Sequence, residues 1–340
     1  MATTQTNQKP SAPTSRLGSV KGGVIYAPKR YFFYGADGTG KTTLAADAPE
    51  AIFADIEGGS EEQDIKRYMF WDDDEEGFKP RSYEDVLFMV NDLTTADHSY
   101  KTLVLDTVDC LEPLLWAWMI KRDNDPSVMT RKNPLNQVED YGYGVGYDRA
   151  VDVWRDLCGR LDRLRAHRKM EIVMLAHAKI MNFKNPEGEN YDRWVPALNA
   201  KAAGFLKGWA NIVGRICHEE TTKKDGRAAK GISTGVHVLK LAHSAAFDAK
   251  GRGSLPAEIE IPIESPWAPL REAIEAGYET DIKKLTSEID AETARIGDDG
   301  LTARVSSAVK EAVGKKDTQS LKAYLNSLKA RPAKVAEAQQ

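Results

Sequence analysis

The sequence predicts an α/β fold with a mostly parallel central sheet flanked by helices, followed by a small helical appendage at the C-terminal end. Three observations point there. Short β-branched or aromatic runs alternate with helical patterns from about residue 24 to residue 281, the rhythm of strand, crossover helix and strand. The stretch YFFYGADGTGKTTLAADA places a glycine-rich turn between an apolar run and an alanine-rich one. Beyond residue 281 the composition shifts to Lys, Ala and Leu in helical patterns.

Residues 1–22 are rich in Thr, Ser, Gln, Pro and Lys with almost no large apolar side chain, so they are expected to form a disordered tail. The core, 23–281, contains the strand-like runs RYFFYG, EAIFADIE, KTLVLDTV, EIVMLAHA, NIVGRICHEE and GVHVLKLAHS. Helical patterns fall at 41–47, at 83–93 behind the capping pair Ser82 and Asp85, at 147–167 and at 202–209. Two connections, 124–146 and 179–201, are long for a compact domain, and such loops are usually functional or mobile. The appendage, 282–340, carries helical patterns at 282–296, 301–313 and 318–328 and is expected to fray at its end.

The length of 340 residues and 41% hydrophobic content suit a full-sized core, which argues against a small binding module. A net charge of −4 announces no global basic field, so a nucleic-acid partner would need a local patch. Cys110, Cys158 and Cys217 are few and widely spaced, which reads as reduced thiols and not a disulfide or zinc framework. With no apolar run of about 18 residues and no signal-peptide pattern, a soluble cytoplasmic protein without a membrane partner is expected.

Gly35, Gly40, Lys41 and Thr42 fit the phosphate-binding pattern G-x-x-x-x-G-K-[ST]. The pattern needs glycine because successive backbone N–H groups must turn toward one anion with no Cβ in the way. Asp37, Gly38, Thr39 and Gly40 form the cradle, Lys41 would reach the terminal phosphates of ATP, Thr42 would hold Mg²⁺, and Thr43 continues into the helix. Asp37 is an oddity, a carboxylate that must turn away from the phosphates. Asp106 ends the apolar strand KTLVLDTVD, where such proteins place the acid that orders Mg²⁺. No glutamate follows Asp106 directly, so the usual AAA+ placement of the water-activating base is missing. Glu57, at the tip of AIFADIEGGS, is the alternative, expected on the strand next to the phosphate-loop strand.

Those motifs together resemble RecA-like recombinases, over roughly 24–264. AIFADIEGGS is similar to the strand ending in Asp-x-Glu, LVLDTVD to the second acidic strand, and EIVMLAHAKI to the strand whose tip carries the γ-phosphate sensor. The sequence looks most like the phage-encoded RecA-core ATP-binding proteins that act in single-strand annealing, with a His at the sensor tip, YGYGVGY and a late AKxR motif. The resemblance implies a Mg²⁺-dependent ATPase with Glu57 as base, Asp106 as Mg²⁺-ordering acid and His177 as sensor, where recombinases more often have Gln. It also implies a homo-oligomer, ring or filament, in a bacterial host, with single-stranded DNA and a single-strand-binding protein as partners. Lys250 and Arg252 would then reach a neighbouring subunit's γ-phosphate, although the same residues suit a solvated hairpin turn.

In the connection 179–201, Lys179, Lys184, Arg193 and Lys201 interleave with Phe183, Tyr191 and Trp194. Cations that follow a phosphate backbone and aromatic faces that stack on bases suit single-stranded DNA. The acidic residues Glu187, Glu189 and Asp192 leave a plain surface loop as the alternative. The connection 124–146, with Arg131, Lys132, Tyr141, Tyr143 and Tyr147, is a weaker second candidate. The tryptophans of LEPLLWAWMIKR and Trp154 read as core, and His218, His237 and His243 show no metal-site spacing. The expected function is ATP-linked binding of single-stranded DNA for annealing or strand exchange. A helicase-like or packaging motor and a nucleotide-gated switch without DNA are the competing readings.

Overall fold

The computed structural model describes residues 27–71, 77–127, 129, 132–225, 228–251, 255–315 and 317–332, with only the backbone described for 220–234. The chain divides into two compact units, one spanning Ala27–Gly277 and the other containing Tyr278 onward.

The first unit is the expected α/β core with a mostly parallel sheet. Five strands run parallel: β1 (Arg30–Gly35), β2 (Ala51–Asp55), β3 (Thr102–Asp106), the first part of β4 (Glu171–Phe183) and β6 (Ile212–Asp225). The antiparallel strands β7 (Ala228–Lys240) and β8 (Glu258–Ile261) complete the order β2-β3-β4-β1-β6-β7-β8. Successive side chains of a strand point to opposite faces, so Phe32 and Tyr34 enter one apolar cluster while Tyr31 and Phe33 enter the other. All four are at most 1% exposed, which is why the run Tyr31–Tyr34 does not alternate with charged residues.

On the first face lie α2 (Tyr83–Thr95), α3 (Val108–Asp123), α4 (Val145–Arg168) and α5 (Ala200–Trp209), whose buried residues include Met89, Leu115, Trp154 and Leu206. The second face is covered by α1 (Lys41–Ala46) through Leu44 and by Trp267 and Leu270. The capping pair expected before α2 is present, with Asp85 N–H donating to Ser82 Oγ at 3.3 Å and Ser82 N–H to Asp85 Oδ2 at 2.8 Å. The helix α3 was expected only through the helical spacing of the tryptophans in LEPLLWAWMIKR, without bounds. Pro113 lies inside it and forgoes only the bond to the Asp109 carbonyl one turn earlier.

The connection 179–201, expected to be a loop, is mostly a β-hairpin. Past the sheet, β4 continues to Phe183 and pairs antiparallel with β5 (Tyr191–Pro196), in register Ile180↔Trp194 and Phe183↔Tyr191. Its turn is held by Asn185 N–H on Asn190 Oδ1 at 3.1 Å and Glu187 N–H on Asn185 Oδ1 at 3.1 Å, the side-chain capping that Asn supplies in turns. The other long connection is pinned where Asn124 and the Leu135 backbone exchange two hydrogen bonds of 2.7 and 2.8 Å.

In the second unit, α7 (Asp299–Gly314) and α8 (Thr318–Lys329) begin on the N-caps Asp298 and Asp317. The preceding helix α6 (Ala268–Ile296) starts well before the expected position 282 and contains the division between the units. Its Ile282, Ile289 and Ile296, spaced by seven, pack with Leu321, Leu325 and Leu328. Among the described residues no helix is long and apolar enough to cross a membrane.

Candidate functional site

The site lies at the carboxyl ends of the parallel strands, the end at which open α/β sheets bind ligands. The chain leaves β1 at Gly35, where an added Cβ would sit 2.5 Å from the Ile216 carbonyl oxygen, so that only glycine fits. Gly40, at φ +83°, closes the loop and N-caps α1. Lys41 is 7% exposed. Its Nζ donates to Gly35 O at 3.2 Å and Ala36 O at 3.0 Å, folded back over the loop it follows.

Thr42 Oγ1 donates to Asp106 Oδ2 at 2.7 Å, joining the start of α1 to the tip of β3. Burial pushes the Asp106 carboxyl up to about 6, the Thr42 hydrogen bond opposes this, and the neighbouring Asp55 and Glu57 raise it further. The Asp106–Thr107 peptide is cis. Asp55 stands beside Asp106 in the β2–β3 register and is 1% exposed. It accepts from Gly58 N–H at 2.8 Å and from Ser60 Oγ, with Arg67 Nε at 3.8 Å.

Glu57 does not follow the strand next to β1. Its strand, β2, is at the sheet edge with β3 and β4 between it and β1, so the adjacency expected from the sequence is corrected. Glu57 reaches the cleft because the chain folds over the tip of β3, where Ile56 and Glu57 N–H both donate to Asp106 O at 2.6 and 3.1 Å. The strand beside β1 is β4, which sets His177 level with Gly35. Asp109 accepts from His177 N–H at 2.9 Å and from its Nδ1 at 2.8 Å. The Nε2 atom faces Asp37 Oδ1 at 3.2 Å and Glu57 Oε1 at 3.5 Å. The hydrogen bond to Asp109 raises the His177 imidazole above its ordinary value, against burial and the charge of Lys41. Burial alone would raise Asp109, but the bonds from His177 hold it below the usual carboxylate range.

A cleft of about 410 Å³ brings Lys41, Thr42, Glu57, Asp106 and His177 together, with Asp37, Gly38, Gly40 and Thr43 along the loop side. A model described as an AAA domain matches residues 27–253. The chain belongs to the AAA domain family. No curated protein matches it. Among solved structures, the RadB recombinase is similar at 12% identity, with 71% of this chain and 90% of that chain covered and a TM-score of 0.34.

Other candidates of this AAA-domain chain lie elsewhere. Lys250 Nζ donates to the carbonyls of Lys207 and Gly208 at the end of α5. Arg252 lies outside the described residues, as does Arg131 of the weaker loop. On the hairpin, Arg193 pairs with Asp248 and lies over the Phe183 ring at 5.1 Å, while Trp194 is covered by Arg215 at 4.8 Å. Lys179 donates to Leu198 O at 2.9 Å, and Lys201 pairs with Asp148 at 2.5 Å. Lys184 is exposed, Phe183 and Tyr191 are half-buried with rings 5.2 Å apart, and Ile180 and Met181 are 58% and 39% exposed.

Sequence reasoning did not single out Asp55 and His237, which line the cleft, or Arg67 and Asp109, which hold residues of its wall. Asp109 had a signal, since LDTVD repeats an acid at a spacing of three across a strand-to-helix junction. His237 had none, because it reaches the cleft from β7, almost two hundred residues beyond the loop.

Proposed function

We propose that this protein is a Mg²⁺-dependent ATPase that binds single-stranded DNA and promotes annealing or strand exchange as a homo-oligomer. The observation that carries the reading is continuity. The strand that sets His177 beside the phosphate loop runs without a break into the hairpin that exposes Ile180, Met181 and Lys184. A change at His177 on phosphate binding therefore has a rigid route to the outer surface.

Each cleft residue has a role in this reading. The loop N–H groups and Lys41 bind the phosphates, which requires Nζ to leave the carbonyls of Gly35 and Ala36. Glu57 accepts the proton of the attacking water, and His177, protonated at both nitrogens with its Nδ1–H committed to Asp109, donates from Nε2 to the terminal phosphate. Thr42 and Asp106 fit Mg²⁺: a hydroxyl and a buried carboxylate crowded by two further acids favour a cation. Mg²⁺-type sites are held by one or two carboxylates plus phosphate oxygens, a donor set that Thr42 and Asp106 would begin. When bound, that ion would neutralise phosphate charge.

With Arg193 and Trp194 engaged internally, the DNA face of the hairpin reduces to Phe183, Lys184 and Tyr191 with the exposed Ile180 and Met181. The test is fluorescence anisotropy of a labelled oligo-dT with and without ATP, comparing wild type with the triple variant F183A/K184A/Y191A. The account expects ATP-enhanced binding that weakens at least about tenfold in the variant, since each base–aromatic stack contributes about 1–3 kcal/mol. ATP binding with no affinity for DNA would favour the nucleotide switch, and ATP-driven strand separation would favour the motor.

A further inference from the structure

We propose that His237 is a positioning residue for the nucleotide site, holding the Thr39–Gly40 peptide so that the Gly40 N–H faces the bound anion. The inference rests on the phosphate loop binding nucleotide, as proposed above. Across the cleft from the acidic strand tips, His237 Nδ1 lies 2.8 Å from Thr39 O. A carbonyl oxygen only accepts, so Nδ1 carries the proton and donates.

In a trans peptide the C=O and the following N–H point in opposite directions. Fixing the Thr39 carbonyl on His237 therefore turns the Gly40 N–H away from the imidazole. Released from that bond, the peptide could rotate and aim a carbonyl at the phosphates, because glycine at φ +83° resists rotation least. The fit is close on the other side as well. A Cβ at Gly40 would lie 3.0 Å from His237 Nδ1, so glycine is favoured there by φ and a side chain would press on the imidazole.

The imidazole is itself braced. His237 stands opposite His218 in the β6–β7 register, with ring centroids 4.3 Å apart and planes inclined at 64°, and opposite Ile261 of β8. The antiparallel ribbon, which supplies none of the phosphate-loop motif, thereby sets the geometry of that loop.

The experiment measures binding of N-methylanthraniloyl-ATP to full-length wild type, His237→Phe and His237→Asn, alongside thermal melting of each. Asn can present a donor amide near the position of Nδ1, whereas Phe keeps a ring and loses the donor. Loss of one hydrogen bond that orders the loop predicts about tenfold weaker binding in His237→Phe. His237→Asn should bind within about threefold of wild type, because it retains the donor. The Gly40 amide proton should shift on nucleotide binding in wild type and His237→Asn and lose that shift in His237→Phe. Should Phe not be accommodated, His237→Ala is the second donor-free variant. His237→Phe binding as tightly as wild type, or His237→Asn as weak as His237→Phe, overturns the inference. A wild type that binds no nucleotide overturns the reading beneath it as well.

Discussion

Asp109 engages His177 through both carboxylate oxygens, one on the main-chain N–H at 2.9 Å and one on Nδ1 at 2.8 Å. The second contact holds a proton on Nδ1 and leaves Nε2, which carries a proton only in the imidazolium, facing Asp37 and Glu57. His177, the proposed sensor, is thus held by a residue of the helix that follows Asp106, three positions after it.

His177 should titrate above its ordinary value of 6.5, and Asp109→Asn should bring it down, as NMR titration of the imidazole would show. The sign for stability follows from linkage. A raised histidine contributes stability fully below its unfolded value and loses it as pH rises through the folded value. A lowered Asp109 contributes above its unfolded value of 3.8 and loses it as pH falls through the folded one. Asp109→Asn should therefore destabilise more at about pH 5.5 than at about pH 9, and equal losses in urea melts would contradict the pairing.

Asp106 carries the opposite sign. Its carboxyl is raised to about 6, so its charged form is disfavoured in the folded protein at neutral pH. Asp106→Asn should raise stability at pH 7.5 without Mg²⁺ by about 2–3 kcal/mol, since each pKa unit corresponds to about 1.4 kcal/mol. The same variant should lose Mg²⁺-dependent hydrolysis. Chemical denaturation beside a turnover assay checks both, and a destabilised variant would show that Asp106 serves the fold.

Glu57→Gln should retain ATP binding and lower kcat by about 10²–10⁴, the usual range for a general base. Single-turnover kinetics separates the two effects. Unchanged turnover would remove Glu57 from the chemistry and leave it as a contact for His177.

Gly146 tests the scaffold. A Cβ there would fall 2.1 Å from Val138 O and 2.8 Å from Val138 Cγ2, where α4 crosses the 3₁₀ turn Val138–Tyr141. Gly146→Ala should cost about 1–3 kcal/mol through overpacking against backbone. A melting temperature equal to wild type would mean the turn yields without loss.

The phosphate loop, Asp106 and the His177 strand tip were legible because each joins a local motif to the end of an apolar strand. The strand order was not. Glu57 was assigned to the neighbour of β1, but three strands share that edge of the sheet and nothing local in AIFADIEGGS says which is adjacent. The hairpin was read as a loop because Lys179, Asn182 and Asp192 dilute its alternation, and a two-stranded ribbon outside the core needs no apolar face on either side. Arg193 and Trp194 looked available for DNA, and their partners Asp248 and Arg215 come from distant segments that only the fold brings near.

In the proposed function a nucleotide bound at Lys41 is coupled through His177 and β4 to DNA on the hairpin. ATP hydrolysis by the purified protein, with and without oligo-dT at low and high salt, tests it most directly. The account predicts stimulation by DNA that fades as salt rises and vanishes in Lys41→Ala. Hydrolysis indifferent to DNA at both salt concentrations would contradict the coupling and leave a nucleotide switch.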